Sequence, residues 1–179
     1  SATTVPSTTT NLLPVLAVDQ AQQLSASGSA SLDIGPGNVV AVVGTLTLDM
    51  ATADVVTGNA AITGLGTVAG TIDDANVLAF TISGASLFVG TGAQLDATRT
   101  GINVAAGAGT LTADAIGFSV SGAAFSLATV TKGTTSFTGA SATITDAALV
   151  GIDAVDLQLS GTVKFNQTSV VGGARMDWD

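Results

Sequence analysis

Aspartate is the residue type best placed to bind a ligand, because this chain contains no His, Cys, Glu or Tyr. The candidates are Asp73, Asp74, Asp96 and Asp114, which all lie in predicted turns. Asp96 follows Asp74 by 22 residues and precedes Asp114 by 18. If each interval is one coil of a repeated fold, the carboxylates stack along one edge and a hard cation such as calcium relieves their repulsion. None follows the spacing of a known calcium loop, so solvated turn residues are the alternative interpretation.

The missing residue types exclude most other chemistry. A Ser-His-Asp nucleophile needs His, and zinc thiolates, iron-sulfur clusters and disulfides need Cys. No Gly-x-Ser-x-Gly or phosphate-binding loop occurs. Two carboxylates could hydrolyse a glycoside, but local hydrogen bonds in turns explain most of the aspartates. The sequence therefore predicts a protein that is not an enzyme and has no cofactor apart from the calcium considered above.

Charge and hydropathy limit the partners. The net charge is −9, which phosphate backbones repel, so a nucleic-acid partner is not expected. No apolar run approaches the roughly 18 residues of a membrane helix, and no membrane span is expected. Few Lys, no Cys and many Thr, Ser, Gly and Asp residues are typical of large secreted bacterial surface proteins, which favours an extracellular or cell-surface location.

The elements that must position these residues are marked by a short motif, which occurs at Phe80–Gly84, Phe118–Gly122 and Leu157–Gly161. Each copy alternates apolar and polar residues and then ends in Ser-Gly, which predicts a half-buried strand that stops at a turn. The glycines of the three copies lie 38 and 39 residues apart, and a weaker copy ends at Gly28. We therefore expect Gly84, Gly122 and Gly161 to occupy equivalent corners with positive φ.

The interval predicts an all-β fold built from repeats. A shorter step of 20 residues, from Gly64 to Gly84, divides the unit into coils of about 19–20 residues. The small interior residues favour a parallel β-helix-like solenoid, and a β-sandwich of repeated hairpins is the alternative. The predicted organisation is a Ser/Thr-rich tail at 1–10, a cap segment at 11–30, a β-repeat domain at 31–170 and a C-terminal tail at 171–179.

The third copy and its surroundings carry a resemblance. Residues 143–152 (TITDAALVGI) and 155–166 (VDLQLSGTVKFN) resemble repeats of giant bacterial surface and adhesin-like proteins, as does the segment 82–90 (ISGASLFVG). The likeness covers roughly residues 40 to 168. It implies a role in stalks or coats and no catalytic residues. The glycine-rich calcium repeat that often accompanies such arrays is missing here.

Two functions remain open. The first is a structural module of a secreted bacterial surface assembly, such as a fibre, coat or adhesin stalk, that self-associates or stacks on neighbouring repeats of a larger surface protein. Trp178, the only Trp, would be a subunit contact in such an assembly. The alternative is an adhesion module that binds a carbohydrate or a host surface, although the chain offers only six Phe and one Trp for stacking on a sugar ring.

Overall fold

The computed structural model describes residues 22–35, 39–109, 113–152 and 157–178. These residues contain strands and no helix, which confirms the all-β prediction. They therefore include no helix that could cross a membrane. The strands are β1 (Gln22–Ile34), β2 (Val39–Val56), β3 (Thr71–Thr91), β4 (Gln94–Leu95), β5 (Ile102–Asn103), β6 (Ile116–Lys132), β7 (Thr135–Val150) and β8 (Gln158–Thr168).

Six of the strands form one open antiparallel sheet in the order β1-β2-β3-β6-β7-β8. Every neighbouring pair in it is antiparallel, and β4 and β5 form a separate two-stranded ribbon. The prediction of a parallel β-solenoid is therefore wrong, since the strands of a solenoid all return in one direction. The alternative of a β-sandwich is wrong for a different reason, because the described residues form only one large sheet.

The regular spacing that suggested a solenoid has two unrelated causes. Gly84 and Gly122 lie on the neighbouring strands β3 and β6, which a long connection at 92–115 separates. Gly122 and Gly161 lie on β6 and β8, and the whole of β7 runs between them. The two intervals thus contain similar numbers of residues but different elements of structure. The spacing of the glycines therefore does not correspond to a repeated coil.

The connections between these strands are either short or held by hydrogen bonds. A two-residue turn joins β6 to β7, with Gly133 at a φ of 59° in its first central position. Positive φ at that position only is the type II′ turn, whose twist matches the twist of a hairpin. The two ends of the β2–β3 connection at 57–70 are joined by a bond from the Thr57 N–H to the Gly70 carbonyl, at 2.8 Å.

The Ser-Gly motifs lie inside strands and not between them. Gly84 and Gly122 both have a φ of 63°, and Gly161 is not among the positive-φ residues. The pairing of β3 with β6 shifts register on each side of Ala85, so Ser83-Gly84 on β3 and Ser121-Gly122 on β6 are bulges. Each bulge adds one residue and reverses the alternation, so Ile82 and Ala85 point to the same side of the sheet.

The bulges keep one side of the sheet apolar from Leu78 to Val89 along β3. Residues paired across strands point to the same side, so each row can be followed through the register. Two such rows are Ala26–Leu48–Phe80–Leu127–Ala140–Phe165 and, beyond the bulges, Leu32–Ala41–Leu87–Val120–Ala147–Leu159. We call this side the apolar face. The opposite side is the covered face, where one row is Ser27–Thr47–Thr81–Ser126–Ser141–Lys164.

Two clusters of buried hydrophobic residues lie on the covered face, one at each end. At one end the 57–70 connection and the C-terminal segment bury Ile62, Ile72, Ala75, Val130, Phe137 and Met176. At the other end the β4–β5 region packs on Val40 and Phe88, together with Ala93 and Ala115. Phe88 is fully buried there. The middle of the covered face, between the two clusters, carries small and polar side chains.

The predicted division of the chain into segments differs from the observed elements at both ends. The tail at 1–10 lies outside the described residues, and β1 begins within the predicted cap at 11–30. Part of the predicted C-terminal tail packs on the sheet, since Met176 is 4% exposed. The segment at 171–178 therefore belongs to the folded unit.

Candidate functional site

The structure does not bring the four candidate metal ligands together. Asp73 and Asp74 lie at the start of β3, whereas Asp96 and Asp114 lie in the β3–β6 connection at the opposite end of that strand. Within the described part of the chain, no group of three or more potential metal ligands is found. The calcium hypothesis stays a prediction, for which a calcium titration of the melting temperature is the measurement.

Three of these carboxylates bond to their own loops. The Asp73 Oδ2 accepts the Thr67 N–H at 2.7 Å, and the Asp114 Oδ1 accepts the Ala106 N–H at 2.7 Å. Asp96 accepts the Thr100 N–H and the Thr98 hydroxyl, both at 2.9 Å. The backbone bond from Thr100 is the main reason that the pKa of Asp96 lies below its ordinary value. These bonds are the turn chemistry expected of aspartate.

Asp74 differs from the other three. Its backbone has a φ of 48°, and its N–H donates to the Asp54 carboxylate at 2.8 Å. Its own carbonyl accepts from the Lys132 ammonium at 3.3 Å. The backbone groups of Asp74 therefore link the start of β3 to the neighbouring strands β2 and β6.

The three motif glycines have different surroundings. A Cβ added at Gly122 would lie 2.9 Å from the Thr145 Cβ, and one at Gly84 would lie 3.8 Å from the Gly44 Cα. A Cβ at Gly161 would meet nothing within 4 Å. The same Ser-Gly pair is thus a constrained bulge on the inner strand β6 and an ordinary strand position on the edge strand β8.

The first candidate binding surface is the apolar face. Several of its side chains are more than a third exposed, among them Leu24, Leu32, Ile34, Leu87, Val89, Ile116, Leu159, Val163 and Phe165. In its centre the rings of Phe80 and Phe125 are tilted at 59° with centroids 6.1 Å apart, a favourable aromatic contact. Contiguous exposed apolar surface of this kind is typical of interaction sites.

Four charged residues of the strands lie on the other side. Asp33, Asp49, Asp146 and Lys164 all pair with residues of the covered face: Val40, Ala79, Ser121 and Ser141. In the described strands no row of the apolar face between Leu78 and Val89 carries a charged residue. The apolar face can therefore be covered without desolvating a charge.

A second candidate site is a cleft of about 490 Å³ in the middle of the covered face. Its floor is formed by small residues of β3, β6 and β7, and Trp178 stands beside it. A Cβ added at Gly139 would lie 2.6 Å, 2.7 Å and 2.9 Å from Cε2, Cδ2 and Nε1 of Trp178. Near-equal distances to these three atoms mean that the indole lies with its face on Gly139. The structure thus places Trp178 against its own chain.

Comparison of the chain with protein-family models, with curated proteins and with solved structures finds no match.

Residue types alone do not indicate either surface. One signal for the apolar face was present: apolar residues occur at 78, 80 and 82 and then at 85, 87 and 89, on either side of Ser83-Gly84. That change of phase is what a bulge produces in a strand that continues. The cleft left no such signal, because it joins residues from four strands and the C-terminal segment.

Proposed function

We propose that this protein is a structural module whose apolar face packs against the apolar face of a second copy. The observation that carries the proposal is the exposure of that face across the whole width of a folded sheet. Leu24 on the edge strand β1 is 43% exposed, and Phe165 on the opposite edge strand β8 is 50% exposed. Water in contact with so many apolar side chains is unfavourable, and a second apolar sheet would displace it.

The size of the face supports a stable complex. Six strands about 4.8 Å apart span roughly 24 Å, and the twelve residues from Leu78 to Val89 on β3 span roughly 38 Å. The footprint is therefore roughly 900 Å² per copy and roughly 1,800 Å² for a pair. Stable protein interfaces bury about 1,200–2,000 Å² in total, so the face alone is large enough.

The distribution of charge supports the same occupant. Two copies with a net charge of −9 each repel one another, and the repulsion is smallest when the charges are far from the contact. Packing through the apolar face places Asp33, Asp49, Asp146 and Lys164 of both copies on the outer sides of the pair. The result is a two-fold β-sandwich, with the sheets about 10 Å apart and the same surface used by both partners.

A pair of this kind could also grow. In the described part of the chain, β1 and β8 have a neighbouring strand on one side only. Unpaired strand edges can accept a further strand, which would extend the sheet from one module to the next. We propose such growth in a secreted or cell-surface assembly, since the composition is low in Lys, free of Cys and rich in Thr, Ser and Gly.

The test is the mass of the full chain in solution, measured by light scattering over a range of concentrations. The apolar-face variant is Leu87→Lys with Val163→Lys, at positions that are 37% and 72% exposed. The matched control is Ser83→Lys with Thr162→Lys, which places the same charges on the covered face of the same two strands. We expect a dimer for the unmodified chain and the control, and a monomer with an unchanged circular dichroism spectrum for the apolar-face variant.

Three results would contradict the proposal. The first is an unmodified chain that stays monomeric at all concentrations, and the second is a dimer that persists in the apolar-face variant. The third is a monomer that sediments with phosphatidylcholine vesicles, which would make lipid the occupant. If the double variant unfolds, the single change Val163→Lys repeats the test at an exposed position of an edge strand.

A further inference from the structure

The cleft on the covered face has the size and lining of a small-ligand site. Its volume of about 490 Å³ lies within the roughly 300–1,000 Å³ common for such sites. The floor is formed by two neighbouring rows of the register, Ala79–Ala128–Gly139–Asn166 and Thr81–Ser126–Ser141–Lys164. The first row is mostly small and apolar, and the second presents three hydroxyls and an ammonium.

The Trp178 indole forms one wall of the cleft, and hydrogen bonds hold both the ring and the backbone that precedes it. The Trp178 indole N–H donates to the Asn166 side-chain oxygen at 3.1 Å, and the Asn166 amide donates to the Met176 carbonyl at 2.8 Å. The Asp177 N–H donates to the Thr57 carbonyl at 2.8 Å, and the Asn59 amide donates to the Arg175 carbonyl at 2.8 Å. The ring is therefore positioned before a ligand arrives, which lowers the entropic cost of binding.

We propose that this cleft binds a neutral saccharide, with a pyranose ring placed beside Trp178. A pyranose has an apolar surface of C–H groups and a rim of hydroxyls, and it needs a fixed aromatic group together with hydrogen-bond donors and acceptors. The indole supplies the first requirement, and Thr81, Ser126 and Ser141 supply the second. Ala79 and Ala128 in the floor leave space for the sugar ring.

Two other cavities among the described residues lack this combination. A hollow of about 680 Å³ is lined by residues such as Gly58, Asn59 and Gly172 and has no aromatic side chain. A smaller one of about 230 Å³ lies between the 57–70 connection and β7, and its aromatic residue, Phe137, is buried in the core cluster. Of these three cavities in the described part of the chain, the cleft beside Trp178 is the one that pairs a partly exposed ring with several hydroxyls.

Saccharide binding is independent of the proposed dimer. The cleft lies on the covered face, and the dimer uses the apolar face on the other side of the sheet. A dimer would therefore carry two clefts that face in opposite directions, so that it could link two glycan chains.

The test uses the fluorescence of Trp178, which reports on the cleft because it is the only Trp in the chain. The full chain is titrated with cello-, chito- and manno-oligosaccharides. The cleft variant is Ser126→Leu, which keeps Trp178 and fills the floor, and the control is Ser25→Leu, an exposed serine of the covered face on the edge strand β1. We expect a saturable change in emission with at least one series, weakened about tenfold or more by Ser126→Leu and unchanged by Ser25→Leu.

Two outcomes would overturn the inference. One is emission that none of the three series alters at millimolar concentration while the protein remains folded. The other is a change that Ser126→Leu leaves as strong as before, since binding would then lie outside the cleft. Light scattering of the same variants keeps this result separate from the dimer, because neither Ser126→Leu nor Ser25→Leu touches the apolar face.

Discussion

The two faces of the sheet are built from the same strands but reach different states. On the covered face, loops and the C-terminal segment bury Phe88 and Ile72 completely. On the apolar face, which has the larger hydrophobic side chains in the middle of the sheet, Phe165 and Val163 stay 50% and 72% exposed. The difference shows that the alternation of apolar and polar residues along a strand determines only which side of the sheet each side chain points to. Whether a side becomes a core depends on what covers it.

The largest effect is expected from removing a ring on each face. Phe88→Ala should lower the free energy of unfolding by about 3–5 kcal/mol, because it leaves a cavity between the sheet and the β4–β5 region. Phe165→Ala should cost less than half as much in the monomer, because half of that side chain already contacts water. The measurement is urea unfolding of both variants at low protein concentration, where the monomer predominates.

Repeating the measurement at high concentration sharpens the comparison. If a second copy covers the apolar face, the cost of Phe165→Ala increases with concentration while that of Phe88→Ala stays constant, since association stabilises only the folded form. Equal costs for the two variants in the monomer would mean that the apolar face is covered within one chain.

Part of this fold follows from the sequence, and the reasons for the rest are specific. Strand-length alternation at Phe80–Ile82 and the glycine punctuation correctly predict an all-β chain. The alternation of residues does not specify whether neighbouring strands are parallel or antiparallel. The similar intervals from Gly84 to Gly122 and from Gly122 to Gly161 therefore fit both a solenoid and an antiparallel sheet. The direction depends on the connections, and the two intervals contain different ones.

The candidate sites were less accessible to sequence reasoning. Aspartates are candidate ligands because their side chains bind metals. In the fold, however, Asp73 and Asp114 accept hydrogen bonds from adjacent loops at opposite ends of the sheet. The apolar face needs the bulge at Ser83-Gly84 to be recognised as part of a continuing strand. The cleft beside Trp178 depends on long-range contacts such as the stacking of that ring on Gly139, which no local pattern indicates.

A medium effect is expected from the bulges that keep the apolar face continuous. Gly122→Ala should destabilise by about 1–3 kcal/mol, because a Cβ is strained at a φ of 63° and would press on Thr145. Gly161→Ala in the same Ser-Gly motif should change stability by less than about 0.5 kcal/mol, because its site is open and its φ is not positive. Urea unfolding of the two variants side by side measures the difference. Equal destabilisation would show that the two motifs are equivalent after all.

The smallest effect concerns the loop that joins β4 to β5, next to the cover of Phe88. The pKa of Asp96 is lowered, first by the Thr100 N–H and also by the Thr98 hydroxyl, so folding favours the charged carboxylate. A group with a lowered folded pKa contributes stability above its unfolded pKa, and that contribution is lost as the pH falls through the folded pKa. Asp96→Asn should therefore lower the melting temperature slightly at neutral pH, and the difference should vanish in acid.

A second variant tests one of the bonds to Asp96. Thr98→Val should raise the pKa of Asp96 only partway, because the Thr100 N–H remains. Carboxyl chemical shifts followed by NMR during an acid titration measure this pKa. A pKa of Asp96 at or above its ordinary value would show that these bonds do not hold the loop, and the cover of Phe88 would then depend on apolar packing alone.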